Sequence, residues 1–248
     1  METATLITLP VSHYCEKVRW ALDHLAIPYK EAAYAPAFHR KATAKYGGTT
    51  VPVLAHAGNS MQDSSDILNY LNGLADNQPL YTSNEQQRAE ILALEALFDA
   101  ELGTSVRRWA YSLLLSEPKL LRKIWSTKVP FWQGLVVPFI IPRAQKLIRK
   151  MYRADESATD EALAQVDSVF NKVETIIADG REFLVGDALS AADITFAALA
   201  APILLPPQCP ATMPALEELP QAMQCVVNDY RARPAGQFVL NLYANHRK

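Results

Sequence analysis

Thr5-Leu6-Ile7-Thr8-Leu9-Pro10-Val11-Ser12-His13-Tyr14-Cys15 is the stretch whose reading decides the fold. Residues 5–9 are β-branched or leucine and end at Pro10, which predicts a short buried strand closing in a turn. Immediately beyond, Val18, Ala21, Leu22 and Leu25 recur at helical spacing. Lys17, Arg19 and Asp23 fall on the opposite side, so an amphipathic helix is expected. Ser12-His13-Tyr14-Cys15 then lies between a strand and a helix N-terminus. Unpaired N–H groups and the positive end of the helix dipole favour an anion there, a thiolate included. On spacing alone, Ser12 is more simply a helix N-cap and Cys15 a small buried apolar residue.

Working outward, Pro28 to Tyr34 reads as a second strand. A polar stretch through His39, Arg40 and Lys41 leads to Gly47-Gly48 and a third strand at Val51-Pro52-Val53-Leu54. Pro52 has no ladder donor, so it implies an edge position or a cis peptide that leaves neighbouring backbone groups free for a strand-like ligand. An ordinary trans proline at a strand start is the commoner meaning. Gly58-Asn59 offers a hairpin turn into Ser60-Met61-Gln62, and Asp63 and Asp66 can cap a helix carrying Ile67, Leu68, Tyr70, Leu71 and Leu74. Asp63 supplies a carboxylate for an ammonium group, while the Ser64 hydroxyl and the helix N–H groups suit a carboxylate. A plain capped helix is the simpler account.

The pattern breaks at Asp76–Thr82, around Pro79, dividing the chain into domains at residues 1–76 and 83–248. Everything later reads as helix. Ser83 and Gln86 have capping-box spacing, followed by Ile91, Leu94, Leu97 and Phe98 on one face up to Gly103. Residues 104–155 are rich in Trp, Leu and Arg, and Pro118, Pro130, Pro138 and Pro142 are expected to divide them into pieces. Further helices are expected at Asp160–Ala178, ended by Asp179-Gly180, and at Ser190–Ala201, stopped by Pro202, before a closing tail from Leu216 to Tyr243.

Composition narrows the function. Of 248 residues half are hydrophobic and a fifth charged, and the net charge of −2 offers no clustered positive field for nucleic acid. Cys15, Cys209 and Cys225 cannot all pair and lack metal-site spacing, so no metal and a reducing compartment are expected. The start has no signal-peptide pattern, which makes cytoplasm the default. The longest apolar stretch, Phe131 to Ile141, is too short to span a bilayer and is interrupted by Pro138. It reads as a buried helix or pocket wall, with no stable membrane insertion.

In order, these sites resemble the cytosolic glutathione transferase superfamily over nearly the whole chain. Ser12-His13-Tyr14-Cys15-Glu16-Lys17-Val18-Arg19 looks like its thioredoxin-type motif of the serine class, with His13 in place of the usual proline. Thr50-Val51-Pro52-Val53-Leu54 resembles its cis-proline segment, and Asp63-Ser64 its pair for the γ-glutamyl end. Gly186-Asp187 and Ser190-Ala191-Ala192-Asp193-Ile194 look like its structural capping-box motif. The resemblance implies an α/β thioredoxin-like N-terminal domain and an all-α C-terminal helical bundle. It implies an enzyme that holds glutathione as co-substrate and transfers it to a small hydrophobic electrophile, a detoxification chemistry, in a C2 homodimer. Ser12 would activate the thiol, and Tyr14, Arg40, Lys41, Val51, Pro52, Asp63 and Ser64 would bind the tripeptide. Arg40 or Lys41 would replace the basic residue that many members carry at Thr50. Cys15 matches a second, usually dispensable cysteine with a possible redox role. Trp109, Tyr111 and Phe131, among the aromatics of 104–155, are expected in the second-substrate pocket. Thiol-disulfide oxidoreductase or peroxidase chemistry is the alternative enzyme, for which cysteine at position 12 would serve better. A non-catalytic binding protein on the same fold is the alternative outside enzymes.

Overall fold

A computed structural model describes residues 2–75, 79–152 and 156–247. The opening strand β1 (Ala4–Thr8) runs into α1 (His13–His24), then β2 (Tyr29–Ala33), a short helix α2 (His39–Ala44), β3 (Val53–His56), β4 (Asn59–Met61) and α3 (Ser64–Asn72). The sheet order is β2-β1-β3-β4. β1 pairs parallel with β2 and antiparallel with β3, which pairs antiparallel with β4. This mixed sheet with α1 and α3 packed together is the expected thioredoxin-like arrangement. β1 is central, and its Leu6 and Ile7 face Leu54 and Val53 of β3. The hairpin turn falls one residue earlier than predicted: Ala57 and Gly58 both have positive φ, and Asn59 already belongs to β4. Val51-Pro52 is a cis peptide immediately before β3. Asp63 caps α3, its carboxylate accepting from the N–H groups of Ser65 at 2.8 Å and Asp66 at 3.3 Å.

The all-helical part begins with α4 (Glu85–Leu97). Its cap is Asn84, which accepts from the Gln87 N–H at 3.0 Å, one residue beyond the expected Ser83 box. Gly103 does not end the helix: residues Phe98–Gly103 form a wide π-helical turn that continues directly into α5 (Thr104–Leu114). α6 (Pro118–Ser126) starts on Pro118, where a missing N–H costs nothing. α7 (Phe131–Tyr152) runs unbroken through Pro138 and Pro142, contrary to expectation. The Gly134 carbonyl, which loses its helical donor to Pro138, instead accepts from the Ser126 hydroxyl at 3.4 Å. α8 (Glu156–Ile176) ends in a 3-10 turn at the left-handed Gly180. α9 (Ala191–Leu204) also carries its proline, Pro202, inside the last turn, where Arg231 donates to the Leu204 and Leu205 carbonyls. α10 (Gln221–Ala232) and α11 (Pro234–His246) close the fold. At the start of α9, Asp193 accepts from the backbone N–H groups of Ser190 and Leu184, at 2.9 and 2.7 Å. Burial raises its pKa to about 6.

The largest departure from the sequence reading is α1. Its charged residues Glu16, Lys17 and Arg19 are buried, each met by a charged partner from elsewhere in the chain. Lys17 is fully buried, with Nζ donating to Asp99 at 2.8 Å and the Ser65 hydroxyl at 2.9 Å and forming an ion pair with Glu95 at 2.9 Å. Tyr81 donates to the other Glu95 oxygen at 2.7 Å. Arg19 is paired with Glu31 at 2.6 Å, and Arg247 reaches back from the C-terminus to Glu16 and Asp23, both at 2.7 Å. One apolar core runs from Leu6, Val18 and Leu22 into Phe98, Phe170 and Phe196. A second, smaller core under α6 and α7 joins Leu121, Ile124, Trp125, Val137 and Ile141 to Ala35.

Candidate active site

Two hollows meet beside the N-terminus of α1. A polar cleft of about 400 Å3 is lined by Thr50, Val51 and Pro52, by Gln62, Asp63 and Ser64 at the start of α3, and by Ala96, Asp99 and Ala100. An apolar cavity of about 480 Å3 is lined by Ser12, His13 and Arg40 on the sheet side. Its far walls are Tyr111 and Leu114 of α5, Leu121, Ile124 and Trp125 of α6, Leu147, Ile148 and Met151 of α7, and Met213 and Met223 nearer the C-terminus. Tyr14, Thr50 and Val51 line both hollows.

Ser12 has extended backbone geometry and caps α1, its Oγ accepting from the Cys15 N–H at 3.3 Å. Acceptance uses a lone pair and leaves the hydroxyl hydrogen for a further partner. Cys15 points elsewhere: it is fully buried, lines neither hollow, and burial pushes its thiol pKa up. His13 is fixed by the end of the π-helical turn. Its Nε2 lies 3.1 Å from the Gly103 carbonyl, and because a carbonyl only accepts, Nε2 carries the hydrogen. Burial, with the Arg107 charge second, drags its pKa to about 3, so the ring stays neutral near pH 7 and takes no proton from a thiol.

Tyr14 divides the two hollows. Its hydroxyl donates to the Asp99 carbonyl at 2.8 Å, and the Arg107 guanidinium stands 5.7 Å from its ring centre. Gly103 makes this possible, because a Cβ there would lie 2.4 Å from the Tyr14 oxygen. In the polar cleft, Asp99 Oδ2 is held by Lys17 and by Ser65 at 2.8 Å, while Oδ1 is buried with no hydrogen-bond partner. Burial raises the Asp99 pKa, against the pull of Lys17.

Of the residues singled out from sequence, Val51, Pro52, Asp63 and Ser64 come together in the polar cleft, with Tyr14 at its boundary. Arg40 lines the apolar cavity, as Thr50 does, whereas Lys41 is exposed and lines neither hollow. Among the aromatics, Tyr111 lines the cavity. Trp109 does not: it is fully buried in the main core, and Phe131 lies on the outer surface, 81% exposed. Both depart from the expected pocket role, because α5 turns Trp109 inward and α7 turns Phe131 to water. Asp99 was missed, since nothing local distinguishes it from any helical acid. Its meaning comes from Lys17, 82 residues away in sequence. Among the described residues no group of His, Cys, Asp and Glu is arranged to hold a metal ion.

A thioredoxin-like sheet with a cis-proline beside a helix start, joined to a helical bundle that walls an apolar cavity, defines a class of two-part thiol-handling folds. Residues 6–79 match the family described as glutathione S-transferase, N-terminal domain, and residues 131–223 match glutathione S-transferase, C-terminal domain. The chain belongs to the glutathione S-transferase superfamily. No curated protein matches it significantly. Solved structures share the fold at low identity. The β-etherase LigF of Sphingobium sp. strain SYK-6 is 20% identical over 97% of this chain and 99% of its own, with a TM-score of 0.61. A glutathione S-transferase from Rhodospirillum rubrum F11 is 23% identical over 98% and 99%, at 0.59. One from Methylobacillus flagellatus KT, with glutathione bound, is 16% identical over 96% and 98%, at 0.56.

Proposed function

We propose that this protein is a glutathione transferase that binds glutathione in the polar cleft and activates its sulfur at Ser12 for attack on a hydrophobic electrophile in the adjoining cavity. The observation that carries this reading is the junction itself: Ser12, at the N-terminus of α1, lines the apolar cavity, which shares the walls of Tyr14, Thr50 and Val51 with the polar cleft. A γ-glutamyl ammonium would find the Asp63 carboxylate and the unpartnered Asp99 Oδ1, and its carboxylate the Ser64 hydroxyl at the α3 N-terminus. The backbone of Val51 suits the cysteinyl unit, and Arg40, rather than the outlying Lys41, suits the glycine carboxylate.

In this reading the Ser12 hydroxyl donates to the sulfur and, with the α1 dipole, favours its anion. The proton leaves to solvent, since His13 is held neutral. The sulfur forms its bond to the electrophilic carbon as the leaving group departs with its electron pair. Catalysis is then activation plus proximity. Serine at position 12 and the buried, high-pKa thiol of Cys15 both argue against disulfide exchange. By family resemblance the reading includes a cytoplasmic setting and a C2 homodimer.

The test pairs two variants. Ser12→Ala should lower turnover of a chloronitrobenzene by about a hundredfold, raise the pKa of the bound thiol in an ultraviolet thiolate titration, and keep retention on glutathione resin. Cys15→Ser should leave turnover within about threefold. The reverse ranking would transfer the chemistry to Cys15, and a wild-type protein that ignores glutathione resin would end the reading.

A further inference from the structure

The outward side of α7 has two halves. Over its first turns Phe131, Trp132, Leu135 and Phe139 stand in solvent, Phe139 76% exposed. Arg143, Lys146 and Lys150 continue the same side, at the three- and four-residue steps of a helix. All three are exposed and make no ion pair among the described residues. The bias extends over the whole α6–α7 hairpin: residues 118–152 contain eight Lys and Arg and no Asp or Glu, in a chain where acids outnumber bases 26 to 24.

The patch is rigidly presented. The opposite side of α7 is anchored by the core of Leu121, Trp125, Val137 and Ile141. Gln133 accepts from the Ala35 N–H at 2.8 Å, and Trp132 packs edge-on against Phe38 at 5.1 Å. Ordering the aromatics therefore costs binding little.

We infer that the α6–α7 hairpin docks this protein onto an anionic lipid surface, with the aromatic half of α7 entering the headgroup boundary and the basic half resting on the lipid charges. Aromatic wedges beside unneutralised Lys and Arg are the chemistry of interfacial helices, in which apolar insertion and electrostatic attraction add. No helix among the described residues is long and apolar enough to cross a membrane, so the attachment is peripheral. A second copy of the chain fits the same face less well: a symmetric pairing needs acid opposite the basic half, and the hairpin supplies none. The roof of the apolar cavity is built by the inner sides of the same two helices, so docking would bring that cavity close to a reservoir of lipophilic molecules.

Co-sedimentation with vesicles decides the matter, using phosphatidylcholine alone and phosphatidylcholine with about one third phosphatidylserine. The full chain should pellet with the anionic vesicles at low salt and be released by high salt. The triple variant Arg143→Gln/Lys146→Gln/Lys150→Gln should bind roughly 100-fold more weakly, and Phe131→Ser/Phe139→Ser at least about tenfold more weakly. Far-ultraviolet circular dichroism should be unchanged in both, since every altered residue is exposed. Absence of binding to anionic vesicles at low salt would overturn the proposal. So would a halving of solution mass in the Phe131→Ser/Phe139→Ser variant, which would assign the face to a second copy.

Discussion

α1 and α7 invert the usual relation between hydropathy and burial. α1 presents Glu16, Lys17 and Arg19, yet all three are buried, because acids from α4, the π-helical turn and β2 meet the two bases and Arg247 meets Glu16. α7 presents Phe131, Trp132, Leu135 and Phe139, yet these stay largely in water, with only Trp132 resting an edge against Phe38. What a helix face buries is thus decided by its neighbour, and each mismatch marks a place where the molecule does more than pack. In α1 it braces the polar cleft through Asp99, and in α7 it leaves exposed the face proposed above to meet anionic lipid.

The strongest way to break this comparison is at Lys17. Lys17→Ala strands Glu95 and Asp99 as buried charges, and should cost about 3–5 kcal/mol of unfolding free energy in urea titration. A loss under about 1 kcal/mol would mean that water, not Lys17, neutralises those acids. A smaller effect, about 2 kcal/mol over the window from pH 6 to 4.5, is expected from His13. Its folded pKa lies far below the ordinary value near 6.5, so between about pH 6.5 and 3 the unfolded chain binds a proton that the native chain refuses. Its contribution is therefore complete above pH 6.5 and is lost on acidification, by about 1.4 kcal/mol per pH unit. His13→Gln should flatten the stability profile between pH 6 and 4.5, and an unchanged slope would show that the imidazole takes its proton inside the fold. The smallest effect belongs to α7. Phe139→Ser should change stability by less than about 0.5 kcal/mol, and a loss of 2 kcal/mol or more would reveal a packing partner.

Elements with a local period were legible from sequence. The alternation of Thr5–Leu9 with the helix from His13, the hairpin near Gly58 and the caps at Asp63, Ser190 and Asp193 are short-range chemistry, and the structure departs from them by a residue or so. The proline breaks failed at Pro138, Pro142 and Pro202; at Pro138 the lost backbone bond is replaced by a donor no local pattern shows, the Ser126 hydroxyl on the Gly134 carbonyl. Gly103 failed as a stop for a similar reason. Its small size serves Tyr14, a contact 89 positions distant in the chain, rather than a helix end. Likewise the polar cleft was foreseen through Val51, Pro52, Asp63 and Ser64, whose sequence neighbours make the site. Asp99 and the methionines Met213 and Met223 arrive from far along the chain and carry no local mark.

The bare α-carbon at position 103 also sets a limit on how this protein can drift. Any methyl group added there would push the phenol of Tyr14 out of the partition between the two hollows, so that wall's thickness is not open to evolutionary adjustment. Change in the cavity's shape falls on the far walls instead, where Leu147, Ile148 and Met151 of α7 can be exchanged without touching the junction at Tyr14, Thr50 and Val51.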